Sequence, residues 1–309
     1  MNGICLTGLG TALPEKIVTN ADLEARLDTS DSWISERTGI NERHIGGTAG
    51  SLGTQAGAAA MADAGVEPDS IDLLILATTT PDQLMPSTSC TIQNELGLSC
   101  GSFDLNAACS GFVYSIVSAA GIIALGAKRA LVIGSEALSG VTDQEDRNTA
   151  ILFGDGAGAV VLEATDQESN ALLGWDLGAD GSTRNLLYTD HGGYIQMDGK
   201  EVFRKAVRIL EESTLKTLTN AGLTVDDIDL FVPHQANIRI ISAAANRLGI
   251  PMERVAVNLD RVGNTSSASI PLALNDARSE NRLHDGDKVL VAGFGAGMTW
   301  ASAVLKWGR

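Results

Sequence analysis

Four short stretches hold the residue types that could do covalent chemistry. In Phe103-Asp-Leu-Asn-Ala-Ala-Cys109-Ser-Gly-Phe112 a short strand breaks into small residues, and a Ser-Gly pair opens an Ala-rich helix. That spacing puts Cys109 at or beside a helix N-terminus, where the dipole and unpaired N–H groups favour a thiolate and lower the thiol pKa. A buried structural cysteine, packed as a small hydrophobe, fits the same spacing. Val232-Pro-His234-Gln-Ala-Asn237 ends a strand on a histidine, one of four with His44, His191 and His284. A solitary histidine can be a satisfied polar residue, but strand ends in open α/β sheets are where sites gather, so His234 ranks first. Arg261-Val-Gly-Asn264-Thr-Ser-Ser-Ala-Ser-Ile-Pro271 offers an amide and four hydroxyl residues at a helix start that Pro271 admits only in its first turn; it reads equally as an N-cap cluster. Gly293-Phe-Gly-Ala-Gly297-Met-Thr-Trp300 lies between strands, and its glycines let backbone N–H groups approach a ligand or form an oxyanion hole. As a phosphate loop it is poor, since no helix follows and no GK[ST] is present. Gly154-Asp-Gly-Ala-Gly158 reads as a tight turn into a strand.

These residues need elements to position them, and the hydrophobic pattern supplies strands alternating with helices. Strands are expected at Ile4–Leu9, Leu73–Thr78, Ser102–Leu105, Arg129–Gly134 and Gly158–Glu163, then at Leu230–Pro233, Val255–Val257, Lys288–Gly293 and Thr299–Lys306. Helices are expected at Leu52–Ala64, Ser110–Leu125, Val202–Ala221, Asn237–Leu248 and Ser267–Glu280. The chain also repeats itself: Ala64-Gly-Val-Glu-Pro-Asp-Ser-Ile-Asp-Leu73 matches Ala221-Gly-Leu-Thr-Val-Asp-Asp-Ile-Asp-Leu230 at six of ten positions. Ala130-Leu-Val-Ile-Gly134 echoes Val289-Leu-Val-Ala-Gly293 at nearly the same offset. Two copies half a chain apart indicate a duplicated α/β unit, not a solenoid of many short repeats. The halves are taken as 1–168 and 169–309, with the polar, Gly-rich region from Gly178 to Gly193 as a connection or cap.

The composition is that of a globular chain: 309 residues, 44% hydrophobic and 19% charged, which excludes disorder and collagen-like repeats. With 22 Lys and Arg against 38 Asp and Glu the formal charge is -16, so phosphate backbones are repelled and nucleic acid is not an expected partner. Apolar runs such as Ile71–Ala77 and Val113–Leu125 are too short or too broken to span a bilayer, so no membrane association is expected. The N-terminus lacks a basic n-region, so no secretory signal is read and a cytoplasmic location is expected. Cys5, Cys90, Cys100 and Cys109 form no CxxC pair and meet no His at zinc spacing, so neither a disulfide framework nor a metal is expected.

Together and in this order, the four motifs resemble the thiolase superfamily, and most closely the 3-oxoacyl-(acyl-carrier-protein) synthase III family. The likeness spans essentially the whole chain. It includes Asp31-Ser-Trp33-Ile-Ser-Glu-Arg37-Thr-Gly-Ile-Asn-Glu-Arg43, Asp146-Arg147, Phe153-Gly-Asp-Gly-Ala-Gly158 and Met197-Asp-Gly-Lys-Glu-Val-Phe203. The resemblance implies a five-layered αβαβα fold of two similar α/β halves, a homodimer, and no metal or redox cofactor. It implies that Cys109 takes the acyl group from an acyl-CoA, and that His234 and Asn264 hydrogen-bond the malonyl thioester on acyl carrier protein as CO2 leaves. The N–H groups of Cys109 and Ala296 would form the oxyanion hole. Trp33 and Arg147 would sandwich the CoA adenine, Arg37 would meet its phosphates, and Asn237, Phe203 and Phe294 would line the substrate tunnel. Met85 and Leu138 would border the acyl pocket, with Met85 reaching it across the dimer. Acyl carrier protein is acidic, so a basic patch is expected; Arg204, Lys205, Arg208, Arg239 and Arg247 are the candidates, although a solvated helix face fits them too.

Three departures bear on specificity. Met85, in Leu84-Met-Pro86, stands where some relatives carry a bulky aromatic, Lys200 stands where an Asn is common, and the segment from Thr183 to Gln196 is short. Since Met fills gaps of variable shape, a primer pocket unlike a strict acetyl pocket is expected. A relative priming a polyketide or other secondary pathway shares the same motifs. A non-catalytic carrier-protein partner has no need of the thiol, and a nucleotide-binding protein built on Gly293–Gly297 lacks the phosphate lysine.

Overall fold

The computed structural model describes residues 2–308. In chain order the N-terminal part comprises β1 (Gly3–Ala12), β2 (Ile17–Thr19), α1 (Asn20–Glu24), α2 (Asp31–Thr38), β3 (Glu42–His44), α3 (Ala49–Ala64), β4 (Leu73–Ala77), α4 (Thr88–Glu95), β5 (Gly101–Leu105), α5 (Gly111–Ala124), β6 (Arg129–Ala137) and β7 (Asp155–Thr165). The remainder comprises β8 (Leu172–Ala179), β9 (Leu187–Tyr188), β10 (Gln196–Met197), α6 (Gly199–Ala221), β11 (Leu230–Pro233), α7 (Ile238–Leu248), α8 (Leu259–Val262), α9 (Ser269–Ser279), β12 (Lys288–Gly295) and β13 (Thr299–Lys306).

Two sheets form. The first runs β1-β7-β6-β4-β5 and the second β11-β12-β13-β8. In the first, β4 lies parallel to both β5 and β6, so that Ala77 is level with Leu105 and Gly134. In the second, β11 is parallel to β12 with Pro233 level with Ala292. Within the first sheet these registers align the end of β5, which precedes Cys109, with the end of β6 that carries Glu136, and within the second they align the end of β11, which precedes His234, with β12, which precedes Ala296; sites collect at such ends in open α/β sheets.

The helices complete five layers, αβαβα. α3 packs on β1, β6 and β7 outside the first sheet, α5 and α9 lie between the sheets, and α6 covers β8, β12 and β13 outside the second. The sequence of α5, GFVYSIVSAAGIIA, carries no charge, and Phe112, Val113, Ile116, Ala119 and Ile123 are fully buried. A helix with little polar face is stable only when covered on several sides, which the middle layer provides. α6, in contrast, buries one stripe (Val202, Ala206, Ile209, Leu210, Leu218) and presents Arg, Lys and Glu outward.

The expected Val255–Val257 strand is absent: only Val255 bridges to Phe231. The buried Gln235 side chain takes the place of a partner strand there, donating to the Ala256 carbonyl and accepting the Asn258 N–H. The region 178–193 ends β8, passes through a 3-10 turn (Gly181–Leu186) and enters the small β9/β10 ribbon, whose residues line the cavity described next.

Candidate functional site

A cavity of about 1000 Å3 opens between the two halves. Cys109, His234, Asn264 and Ala296 all line it, although they come from four separate loops. Each loop is fixed by close packing. Cys109 sits in a 3-10 turn (Ala108–Ser110) leading into α5, with Ala108 at φ +48°, a left-handed conformation uncommon for a residue with a side chain. Gly295 backs this turn, and a Cβ there would lie 2.5 Å from the Cys109 nitrogen.

The thiolate expected at Cys109 is not what the structure holds. Although Cys109 keeps some surface in the cavity, burial pushes its thiol up to about 12, with the Glu136 carboxyl adding to the rise. The helix itself begins two residues later, at Gly111, so the dipole is offset and loses to desolvation.

His234 is buried at the end of β11, its own N–H bonded to the Ala292 carbonyl at 2.7 Å. Burial lowers its pKa to about 3, so the ring is neutral at physiological pH. Its Nδ1 lies 2.7 Å from the Ser269 hydroxyl, which in turn accepts the Gln235 N–H at 3.3 Å. Nδ1 is the one hydrogen-bond acceptor that the Ser269 hydroxyl proton meets among the described residues, so the Ser269 proton goes to Nδ1 and the ring carries its hydrogen on Nε2. Phe294, expected as a tunnel-wall residue, does line the cavity and also packs edge-on against the imidazole, centroids 5.6 Å apart.

Asn264 is held by backbone: its N–H donates to the Leu152 carbonyl and its carbonyl accepts from Gly154, forming a bridge beside Phe153. Its Oδ1 accepts the Ser266 N–H at 2.9 Å. The amide NH2 is therefore the end left for a ligand.

The remaining sequence candidates separate. Trp33, Arg37, Phe203, Asn237 and Leu138 line the cavity. Arg37 and Arg147 both lie over the Trp33 ring, at 4.4 and 5.2 Å from its centroid. Arg147 thus rests directly on Trp33 instead of across a gap, held by the Asp28 carbonyl at 2.7 Å, and an adenine enters between them only if Arg147 moves. Asn237 also caps α7 and donates to the Arg37 carbonyl. Met85 is exposed and does not line the cavity of its own chain.

The expected basic patch is largely neutralised: Arg204 pairs with Glu201, Lys205 with Asp180, Arg208 with Glu212 and Arg247 with Glu211. Among these five cations Arg239 alone lines the cavity, with Lys200 nearby on its rim. No group of three or more His, Cys, Asp or Glu among the described residues is placed to hold a metal ion.

Sequence reading missed Ser269, Ser266, Gln235 and Glu136. The hydroxyl run is visible in the sequence, where it fits a site and an N-cap cluster equally; the signal for Glu136 is an acid near the end of a mostly apolar strand, RALVIGSEA.

A thiol, a neutral imidazole and an amide converging on one cavity of a doubled α/β fold define a condensing acyltransferase of thiolase type. Comparison with known proteins is specific. Residues 103–181 match the 3-oxoacyl-[acyl-carrier-protein (ACP)] synthase III model and residues 218–307 match the C-terminal model of the same family. A beta-ketoacyl-[acyl-carrier-protein] synthase III from Symbiobacterium thermophilum is 49% identical, over 98% of both chains. The crystal structure of 3-oxoacyl-[acyl-carrier-protein] synthase III from Aquifex aeolicus VF5 superposes with a TM-score of 0.96 at 45% identity, covering 99% of this chain and 100% of that one. The priming beta-ketosynthase from the R1128 polyketide biosynthetic pathway gives 0.94 at 37%, covering 99% and 97%. The chain belongs to the 3-oxoacyl-[acyl-carrier-protein] synthase III family, and it is a condensing enzyme that initiates fatty acid synthesis.

Proposed function

We propose that Cys109 carries the acyl group and that His234 and Asn264 serve the decarboxylation. The Cys109 sulfur attacks the thioester carbon of an acyl-CoA; the carbon–sulfur bond to CoA breaks and the thiol proton leaves with the CoA sulfur. Malonyl-acyl carrier protein then loses CO2, and the electron pair left behind becomes an enolate. Its oxygen accepts hydrogen bonds from His234 Nε2 and the Asn264 NH2, while its carbon attacks acyl-Cys109 and expels the sulfur as a thiolate, which takes up a proton from water to restore the thiol. N–H groups of Cys109 and Ala296 receive the oxyanions of both tetrahedral intermediates. The observation that carries this reading is the preset polarity of His234 and Asn264: Ser269 and the Ser266 N–H leave each with a donor, which an enolate needs, and no strong base, which decarboxylation does not. No cofactor takes part in these steps.

The halves divide at 168/169 in this reading. Carrier-protein docking centres on Arg239 and Lys200 at the cavity rim, since the other cations are matched by acids on their own chain. Two copies associate through the edge strand β5 and the loop before α4, where Phe103 and the highly exposed Leu84 and Met85 stand together. An unpaired edge beside exposed apolar side chains favours association, and it would bring Met85 to the partner's acyl pocket. No helix among the described residues is long and apolar enough to cross a membrane, which suits a cytoplasmic enzyme. Priming of a polyketide pathway is the second reading, favoured by the likeness to the R1128 enzyme.

Intact mass spectrometry after incubation with acetyl-, butyryl-, branched and longer acyl-CoAs tests both. The expected result is one added acyl mass on the native protein and none on Cys109→Ser. Loading of acetyl alone would remove the expectation of a broader primer pocket, and loading of the Ser variant would remove Cys109 as the acyl carrier.

A further inference from the structure

Arg43, on β3, is fully buried, and no step above uses it. Burial lowers its pKa to about 10, so the guanidinium stays charged at neutral pH. Among the described residues its partners are three oxygens, none of them a carboxylate's: one terminal nitrogen donates to the Val18 carbonyl at 3.1 Å and to Asn20 Oδ1 at 2.9 Å, the other to the Ile151 carbonyl at 2.8 Å. The Nε–H meets no acceptor among them. A buried cation met only by neutral groups costs folding free energy that an apolar side chain of the same length would not, so filling space does not account for it. The groups it grips supply the reason. Asn20 is itself buried and tied to α2 and the turn after it, its NH2 donating to Asp31 at 2.8 Å, Ser35 at 3.2 Å and the Ile40 carbonyl at 2.8 Å, so that end is an anchor. The other end is the segment that fastens Asn264: Ile151 precedes Leu152, whose carbonyl accepts the Asn264 N–H at 2.8 Å, and Gly154 donates to the Asn264 carbonyl at 3.0 Å.

The stem of Arg43 fills the angle between the two segments that carry this ladder. A Cβ on Gly154 would lie 3.2 Å from the Arg43 Cβ, and one on Gly263 3.1 Å from it. Gly263, immediately before Asn264, stands at φ +69°, a conformation that suits glycine. Neither segment can shift toward β3 without meeting Arg43. The fork adds direction to this contact, because a bond from a charged donor is stronger than one between neutral groups. The Ile151 carbonyl and the Leu152 nitrogen share one rigid peptide plane, so holding the first fixes where the residue that carries Asn264 begins. We propose that Arg43 is a positioning residue for Asn264: anchored on Asn20, its guanidinium holds the 151–154 segment, and through it the Asn264 backbone, so that the side-chain NH2 meets the thioester oxygen as CO2 leaves. The proposal rests on Asn264 serving the decarboxylation, and it adds to that reading the group that aims the amide. Cys109 sits in a different turn, ahead of α5, and shares none of these bonds, so the two half-reactions separate the effect.

The test is to time the two half-reactions separately in Arg43→Met and Arg43→Lys. Acyl loading of Cys109 is followed by intact mass with the shortest acyl-CoA that loads the native enzyme, decarboxylation by CO2 release from malonyl-acyl carrier protein, and folding by circular dichroism. Met keeps the packing of the stem and none of the three bonds; Lys keeps the charge and part of the bonding. The expected result is CO2 release slowed about 10–100-fold in Arg43→Met and partly restored in Arg43→Lys, with loading and the KM for acyl-CoA unchanged in both. A residue that only stabilises the fold would slow both half-reactions alike or neither; either outcome in a folded variant would overturn the proposal, as would failure of both variants to fold. Asn264→Ala, alone and combined with whichever Arg43 variant folds, separates the proposal from the reading beneath it. If Asn264→Ala leaves CO2 release intact, the decarboxylating role of Asn264 falls. If it slows release, the Arg43 substitution is expected to add little on top of it, since both act on one amide. A second loss of the same factor in that background would mean that Arg43 acts elsewhere, and only its role falls.

Discussion

His234 and Asn264 do not choose freely how to face a ligand, because Ser269 and the Ser266 N–H occupy the acceptor end of each. Losing the Ser269 hydroxyl removes a bond worth about 1–1.5 kcal/mol. Ser269→Ala is therefore expected to slow CO2 release from malonyl-acyl carrier protein about tenfold, with acyl loading of Cys109 unchanged. Equal losses in both half-reactions, measured by CO2 release and intact mass, would show a general disturbance instead. The identities of Cys109, His234 and Asn264 were legible because each is a chemically distinctive residue at a break between elements. Their states were not. The thiolate expected at Cys109 followed from its place near a helix start, but the sign of the shift depends on enclosure and on Glu136, which lies 27 residues further along the chain. Hydroxyls such as Ser266 and Ser269 look alike in sequence, and only tertiary partners distinguish a cap from a tautomer setter.

At the scale of elements, the loops are clamped by backbone-to-backbone approach at glycines. A Cβ on Gly295 would meet the Cys109 nitrogen at 2.5 Å and the Ala108 Cβ at 2.7 Å. Neither neighbour is the far end of a flexible side chain, so Gly295→Ala should cost about 1–3 kcal/mol of stability. Shifting the Cys109 N–H from its proposed oxyanion position should also slow acyl loading about 10²–10³-fold. Gly121→Ala, where a Cβ meets nothing within 4 Å on helix α5, should leave the rate unchanged and raise the melting temperature. If the two variants behave alike in loading assays, close packing behind Cys109 is not what aims its N–H. Sheet strands were legible from continuous apolar runs: Leu230–Pro233 and Thr299–Lys306 match the expected bounds, and α5 begins one residue late. β8 was missed because LLGWDLGA mixes Gly and Asp into an edge strand, and Val255–Val257 was overread because a side chain, Gln235, satisfies the backbone there.

For the molecule as a whole, the two buried groups at the site set opposite flanks of the pH–stability curve. His234 has a pKa of about 3 in the fold against about 6.5 unfolded, so between these values the unfolded chain binds the extra proton and stability falls as pH falls. Cys109 has about 12 against about 9, so above roughly pH 9 the unfolded chain loses its proton first and stability falls as pH rises. Melting temperatures across about pH 4 to 10.5, roughly three pH units to either side of neutrality so that both flanks are sampled, should show a shallower acid flank in His234→Gln and a shallower alkaline flank in Cys109→Ala; unaltered flanks would contradict both shifts. The doubled architecture was legible from the internal repeat, whereas the meeting of four loops in one cavity was not, because it depends on how the halves face each other. The middle layer carries a last implication. Since α5 is wedged between both sheets, Cys109 just before its start, as the proposed acyl carrier, is an anvil and not an arm: it does not travel to a substrate. Differences in what the enzyme accepts must then arise in the parts that can be exchanged around it, above all the ribbon and turns of residues 180–198 on the cavity rim, so that the chemistry can stay fixed while the clientele changes.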